Sequence, residues 1–130
     1  MKRVITFGTF DVFHVGHLRI LQRSRDCGDY LIVGLSSDNM NFDKKNRYPV
    51  INQAQRKEII QSLRCVDEIF YEESMQLKRQ YILENKADIL VMGDDWAGRF
   101  DEFKDICEVK YLPRTPSVST TQLIETIKEL

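Results

Sequence analysis

The sequence predicts an α/β fold: one domain built on a parallel sheet flanked by helices. Three observations predict it. Short apolar runs alternate along the chain with segments of helical period. The second of those runs is apolar almost throughout, as a strand covered on both faces should be. The 130 residues suit one domain with one core, spanning 1–130.

The elements follow in order. Val4–Phe7 reads as the first strand, and a helix follows near 16–27, where Leu18, Ile20 and Leu21 form an apolar face away from Arg19, Arg23 and Arg25. Tyr30–Leu35 is the second strand. The basic tract Lys44-Lys45-Asn46-Arg47 falls in the loop after it, and a second helix is predicted near 53–64. Glu68–Tyr71, Ile89–Met92 and Val109–Leu112 read as further strands, separated by a helix near 75–86 and a shorter one near 100–105. A last helix follows Ser119-Thr120-Thr121, with Ser119 or Thr120 as its N-cap. In such sheets ligands sit outside the carboxyl ends of the strands, near a switch in strand order. Chemistry is therefore expected in the loops after the first, second and fourth strands and before the last helix.

Bulk properties exclude several classes. A formal net charge of −1 gives no general attraction for nucleic acid or an anionic membrane. No apolar run approaches the roughly 18 residues of a membrane span, and the N-terminus lacks the apolar stretch and cleavage site of a secretory signal. A cytoplasmic location is expected. Cys27, Cys65 and Cys107 are odd in number and widely spaced, which argues against a disulfide framework or a zinc knuckle and for reduced thiols.

The first loop carries the strongest signal. Gly8-Thr9-Phe10-Asp11-Val12-Phe13-His14-Val15-Gly16-His17 ends the first strand and opens the first helix. His14 and His17, the chain's two histidines, stand three apart and project from one side of the first helical turn. Imidazole N–H groups and free helix amides then converge on one point, which makes an anion site. Gly16 lets a phosphate chain lie close to the backbone. A zinc site using Asp11 is the competing reading, but H-E-x-x-H is absent and no later Cys or His completes a shell. The Walker and dinucleotide glycine patterns are both missing, so this is a different phosphate cradle. Asp11 is expected either to support the loop or to help hold a metal.

These residues resemble the nucleotidyltransferase superfamily, whose mark is an H-x-G-H tract after a G-T/V-F-D strand end. The resemblance implies a Rossmann-like sheet, with both histidines on the phosphates of a nucleoside triphosphate during transfer. Gly8, Thr9 and Phe10 would line the same site. A second stretch, Arg114-Thr115-Pro116-Ser117-Val118-Ser119-Thr120-Thr121, looks like the R-T-x-G-I-S-T-T segment of the cytidylyltransferases, in which the arginine, serine and threonines hold the triphosphate. Arg114, Thr115, Val118, Ser119, Thr120 and Thr121 match by position. Pro116 and Ser117 depart from the pattern, and a serine in place of a glycine of positive φ would reshape the loop.

Met92-Gly93-Asp94-Asp95-Trp96-Ala97-Gly98-Arg99-Phe100 is similar to the M-G-D-D-W-x-G-x-F-D segment of bacterial glycerol-3-phosphate cytidylyltransferases. A carboxylate such as Asp95 can accept from the exocyclic amine of cytosine, and Trp96 can stack on a base or close its pocket. The same resemblance implies Lys45 on the acceptor and Arg47 on the triphosphate, with Lys44 the alternative to Lys45. It implies Arg64 on CTP, and Arg56 and Lys78 on the acceptor. Arg56 and Arg64, eight apart on one predicted helix, would face roughly one side. Met75 stands where the family usually has an aromatic residue, three before Lys78.

The resemblance further implies CTP and glycerol 3-phosphate as substrates, Mg²⁺ as cofactor, a homodimer, and CDP-glycerol made for teichoic-acid-like or other surface polymers. His14, His17, Arg114 and Asp11 form the expected catalytic set. Another phospho-alcohol acceptor is the alternative: a polyol phosphate, glycerol 2-phosphate or phosphoethanolamine. A non-catalytic nucleotide-binding module is the rival from a different class.

Overall fold

The computed structural model describes residues 1–116 and 118–130. Five strands form one parallel sheet: β1 (Arg3–Gly8), β2 (Tyr30–Ser36), β3 (Glu68–Glu72), β4 (Ile89–Gly93) and β5 (Glu108–Leu112). Their order is β3-β2-β1-β4-β5. The chain thus builds outward from β1 in one direction and then returns to its other side. The crevice between the ends of β1 and β4 is the topological switch point where an open α/β sheet binds its ligands.

Each strand face has its own core. Val4, Leu31, Val33, Leu35, Ile89 and Val91 pack with Leu21 and Ile60, from α1 (Val15–Asp26) and α3 (Gln53–Gln61). Ile5, Phe7, Ile32, Leu90 and Met92 face the other way, onto Ile82 of α4 (Lys78–Glu84) and onto Phe100 and Phe103. This alternation along single strands is the period-two pattern of a sheet buried on both sides. It confirms the expected fold class, down to the near-complete burial of β2.

One helix differs from the sequence reading. Lys44 and Lys45 are not in a loop; they form the last turn of α2 (Asp38–Lys45). Its apolar content is too low to show a helical stripe, but its ends carry the usual signals. Ser37 Oγ accepts from the Met40 amide at 3.1 Å, Asp38 sits at the positive end of the helix dipole, and Asn46 closes it in the left-handed region at φ 58°. The expected helix at 75–86 opens as a 3₁₀ turn, Met75–Leu77, before α4 begins, and the element at 101–105 is 3₁₀ throughout. Helix α5 (Thr120–Lys128) takes Ser119 as its N-cap, through a bond from the Gln122 amide at 3.1 Å.

Candidate active site

All five strand ends open into one cleft of about 650 Å³, a size that suits a nucleotide-scale ligand. The loop after β1 supplies Gly8, Thr9, Phe10, Asp11, His14, Gly16 and His17. β2 and α2 bring Ser36, Lys44, Lys45 and Arg47; β3 and α4 bring Glu72, Met75 and Lys78. Asp95 and Trp96 follow β4, while Arg114, Thr115, Val118, Ser119, Thr120 and Thr121 follow β5.

His14 and His17 make the start of α1. His14 is the N-cap, extended at φ −140°, and its Nδ1 accepts from the Gly16 amide at 3.0 Å. His17 Nδ1 accepts in turn from the His14 amide at 3.3 Å. Two imidazoles therefore do what a Ser/Glu capping box does elsewhere. An Nδ1 that accepts an amide proton carries none, so each neutral ring must bear its hydrogen on Nε2. The rings stack at 3.8 Å between centroids. Burial lowers the pKa of His14; that of His17 is pulled down to about 4 by burial first and by His14 second, with Asp11 opposing. Both are neutral donors at neutral pH. His17 Nε2 also lies 3.4 Å from Thr120 Oγ1, which donates to the Asp11 carbonyl at 2.9 Å and so couples the first loop to the last helix.

Gly16 has a reason the sequence did not disclose. A Cβ there would lie 2.8 Å from Cε1 of His14, so the glycine makes room for the imidazole that caps the helix.

Asp11 anchors its loop. Its carboxylate accepts from the amides of Val50 at 2.7 Å, Ile51 at 2.9 Å and Val12 at 3.1 Å. These bonds hold a loop in which Phe10 and Val12 both take positive φ, 53° and 50°, at a cost of about 1–3 kcal/mol each. A carboxylate so occupied has little left for a cation. No group of three or more His, Cys, Asp or Glu among the described residues is arranged to hold a metal ion.

Arg114 reaches across the cleft mouth, with Nη1 3.8 Å from Asp95 Oδ2. Both side chains are more than half exposed, so the pair contributes little to stability and leaves the guanidinium available to an anion. Trp96 packs on Phe100 at 5.4 Å and forms one wall. Thr115 is buried below the loop. The reshaping expected from Ser117 lies outside the described residues.

Two expected binding residues are not in the cleft. Arg56 is 1% exposed and is spent on the fold: its Nη1 donates to the carbonyls of Thr9 at 2.8 Å and Ser36 at 2.9 Å, Nε to that of Ile51, and Nη2 to Asp38 Oδ1 at 2.7 Å. It ties the ends of β1 and β2 together and has no face toward an acceptor. Arg64 lies beyond the end of α3, in a separate shallow groove with Leu18, Gln22 and Arg25. The expected common side for the two arginines fails because α3 stops at Gln61.

Lys78 lines the cleft, with a partner the sequence reading missed. Its ammonium donates to Glu72 Oε2 at 2.5 Å and sits 3.9 Å over the Phe7 ring. Desolvation lowers the lysine's pKa and raises the glutamate's, and each opposes the shift of the other. Lys44, at the cleft edge, is also lowered by desolvation, with Glu72 as the main opposing charge. Glu68, Phe70 and Glu72 alternate along β3, so the strand-end rule applied one residue beyond Tyr71 would have found Glu72.

Known proteins carry the same pattern. A family described as cytidylyltransferase-like matches residues 5–126. The chain is 46% identical over 130 residues to glycerol-3-phosphate cytidylyltransferase of Bacillus subtilis (strain 168), covering 100% of both chains. It is 46% identical over 123 residues to the protein of that name from Staphylococcus aureus (strain NCTC 8325 / PS 47), covering 95% of this chain and 92% of the other. Among solved structures, a lipopolysaccharide core biosynthesis protein from Thermoplasma volcanium GSS1 superposes with a TM-score of 0.75 at 22% identity, over 88% of this chain and 98% of that one, a likeness of fold.

Proposed function

The chain belongs to the cytidylyltransferase-like family, and on that premise we propose that it is an enzyme that transfers CMP from CTP to sn-glycerol 3-phosphate. A phosphate oxygen of the acceptor forms a bond to the α-phosphorus of CTP in line. The bond from that phosphorus to the bridging oxygen of the β-phosphate breaks, leaving CDP-glycerol and pyrophosphate. A phosphate dianion is already a nucleophile, so catalysis is mostly positioning and charge stabilisation. The observation that carries this reading is the histidine pair: two neutral rings with Nε2–H donors at a helix N-terminus, in one cleft with Arg114 and beside the Thr120 hydroxyl of α5.

His14 and His17 donate to phosphate oxygens as charge moves onto the leaving pyrophosphate, and Arg114 offsets that charge. Lys44, Lys45 and Arg47 add positive potential at the opposite rim, and Asp95 and Trp96 border the place where cytosine would lie. Mg²⁺ belongs to the proposal as a companion of the triphosphate, with phosphate oxygens and water as its main ligands. A cytoplasmic homodimer that feeds teichoic acid or another surface polymer completes it. No helix among the described residues is long and apolar enough to cross a membrane. Purified protein given CTP, Mg²⁺ and sn-glycerol 3-phosphate should release pyrophosphate and form CDP-glycerol, read by mass. Absence of both products with this acceptor and with the other phospho-alcohols would overturn the reading in favour of a binding module.

A further inference from the structure

Ser36 and Glu72 are neighbours at the floor of the cleft. They are register partners on β2 and β3, so their side chains lie side by side on the sheet face that carries Phe7 and Ile32. Ser36 is 0% exposed, and among the described residues its Oγ has no hydrogen-bond partner. Among the described residues, Glu72 bonds Lys78 through Oε2 alone, which leaves Oε1 without a partner. Both residues line the cleft, as does Lys78.

A buried hydroxyl left unpaired, as at Ser36, is costly and needs a reason. A carboxylate can only accept, and it repels phosphate; it calls for a neutral O–H donor. A serine hydroxyl both donates and accepts. Lys78 keeps ammonium hydrogens free beyond the one given to Glu72, enough for a phosphate oxygen. Side by side, the three groups match a molecule with an anionic end and an alcohol end.

We infer that Ser36 and Glu72 form the subsite for the hydroxyl groups of the acceptor and set which alcohol phosphate is used. The inference rests on the transfer proposed above and adds the residues that choose its substrate. A site built to hydrogen-bond an alcohol rejects the analogue that lacks it far more strongly than an apolar pocket rejects a size change.

The test compares sn-glycerol 3-phosphate with propyl phosphate, which keeps the phosphate and loses both hydroxyls. The wild type should prefer the former by on the order of 10²-fold or more in kcat/KM. Ser36→Ala and Glu72→Gln should each shrink that preference about tenfold or more, by raising the KM for glycerol phosphate, with the KM for CTP unchanged. Glu72→Gln keeps an acceptor for Lys78. Ser36→Ala removes a hydroxyl that bonds nothing, so it should leave thermal stability equal or higher while impairing acceptor use. A preference unchanged in both folded variants, or an equal rise in the KM for CTP, would overturn the subsite. A wild type that turns over both acceptors equally would overturn the subsite but not the transfer; a wild type inactive with both would overturn the transfer itself.

Discussion

His14 and His17 cap the same helix with each other: the amide of His14 donates to the ring of His17, and the ring of His14 accepts the amide of Gly16 two residues on. Each imidazole thus has a structural nitrogen, Nδ1, and a second, Nε2, that bears the hydrogen; that of His17 lies 3.4 Å from Thr120 Oγ1. The two duties can be separated by substitution. His14→Ala and His17→Ala should lose on the order of 10²–10³ in kcat, the usual effect of removing one transition-state donor. Each should also lose about 1 kcal/mol of stability with the cap. Asparagine places its oxygen near Nδ1 and reaches no farther, so the Asn variants should recover the stability and not the turnover. Urea denaturation and pyrophosphate release measure the two effects independently, and near-normal turnover in the Ala variants would remove the histidines from the mechanism.

Acid should act on the fold through His17. Its pKa is about 4 in the folded protein against 6.5 for an ordinary histidine, so between those values the unfolded chain binds the proton more readily. The contribution to stability is complete above 6.5 and is lost as pH falls through 4. By pH 5 the loss amounts to about 2 kcal/mol. Denaturation of the wild type and His17→Gln at pH 7.5 and pH 5 should show the wild type losing more by that amount. Parallel losses would show that the ring protonates as freely in the fold as outside it.

Arg56 should behave as a structural residue. Truncating it to alanine strands three backbone carbonyls and takes the buried cation from the partly exposed Asp38 carboxylate, a loss of about 3–5 kcal/mol. Arg56→Lys retains the charge but cannot reproduce the fork, so it should lower the melting temperature. The KM for acceptor should stay within about twofold in the folded Lys variant, since the side chain has no exposure to the cleft. A selective rise in that KM would restore the arginine to the acceptor site.

Chelation should separate the metal from the protein. With Asp11 bonded to three amides and no acidic cluster among the described residues, EDTA should leave the melting temperature of the ligand-free protein unchanged. It should abolish pyrophosphate release, and added Mg²⁺ should restore it. A chelator-sensitive melting temperature without nucleotide would point to a resident ion.

Much of the site was readable because it is local. Gly8 to His17 and Arg114 to Thr121 are contiguous loops at strand ends, and the cleft gathers every residue expected from them that the structure describes. Arg56 misled because a basic side chain on a predicted helix looks the same in sequence whether it meets substrate or backbone. Its three carbonyl partners come from residues 5 to 47 positions away, which no local pattern encodes. Helix α2 was hidden for the opposite reason: its polar surface gives no period, and only its caps mark it.

The sequence by itself determined the parallel α/β sheet, through apolar runs that must be covered on both faces, and pointed to a phosphate site through paired histidines at the first helix start. Only the tertiary structure decided that the Asp11 carboxylate accepts three backbone amides, that the histidines carry their hydrogens on Nε2, and that Ser36 and Glu72 are register partners on adjacent strands. Strand pairing is the physical reason. Register sets residues 36 positions apart in the chain beside each other, and the burial it imposes decides which polar groups are satisfied within the fold and which are left for a ligand.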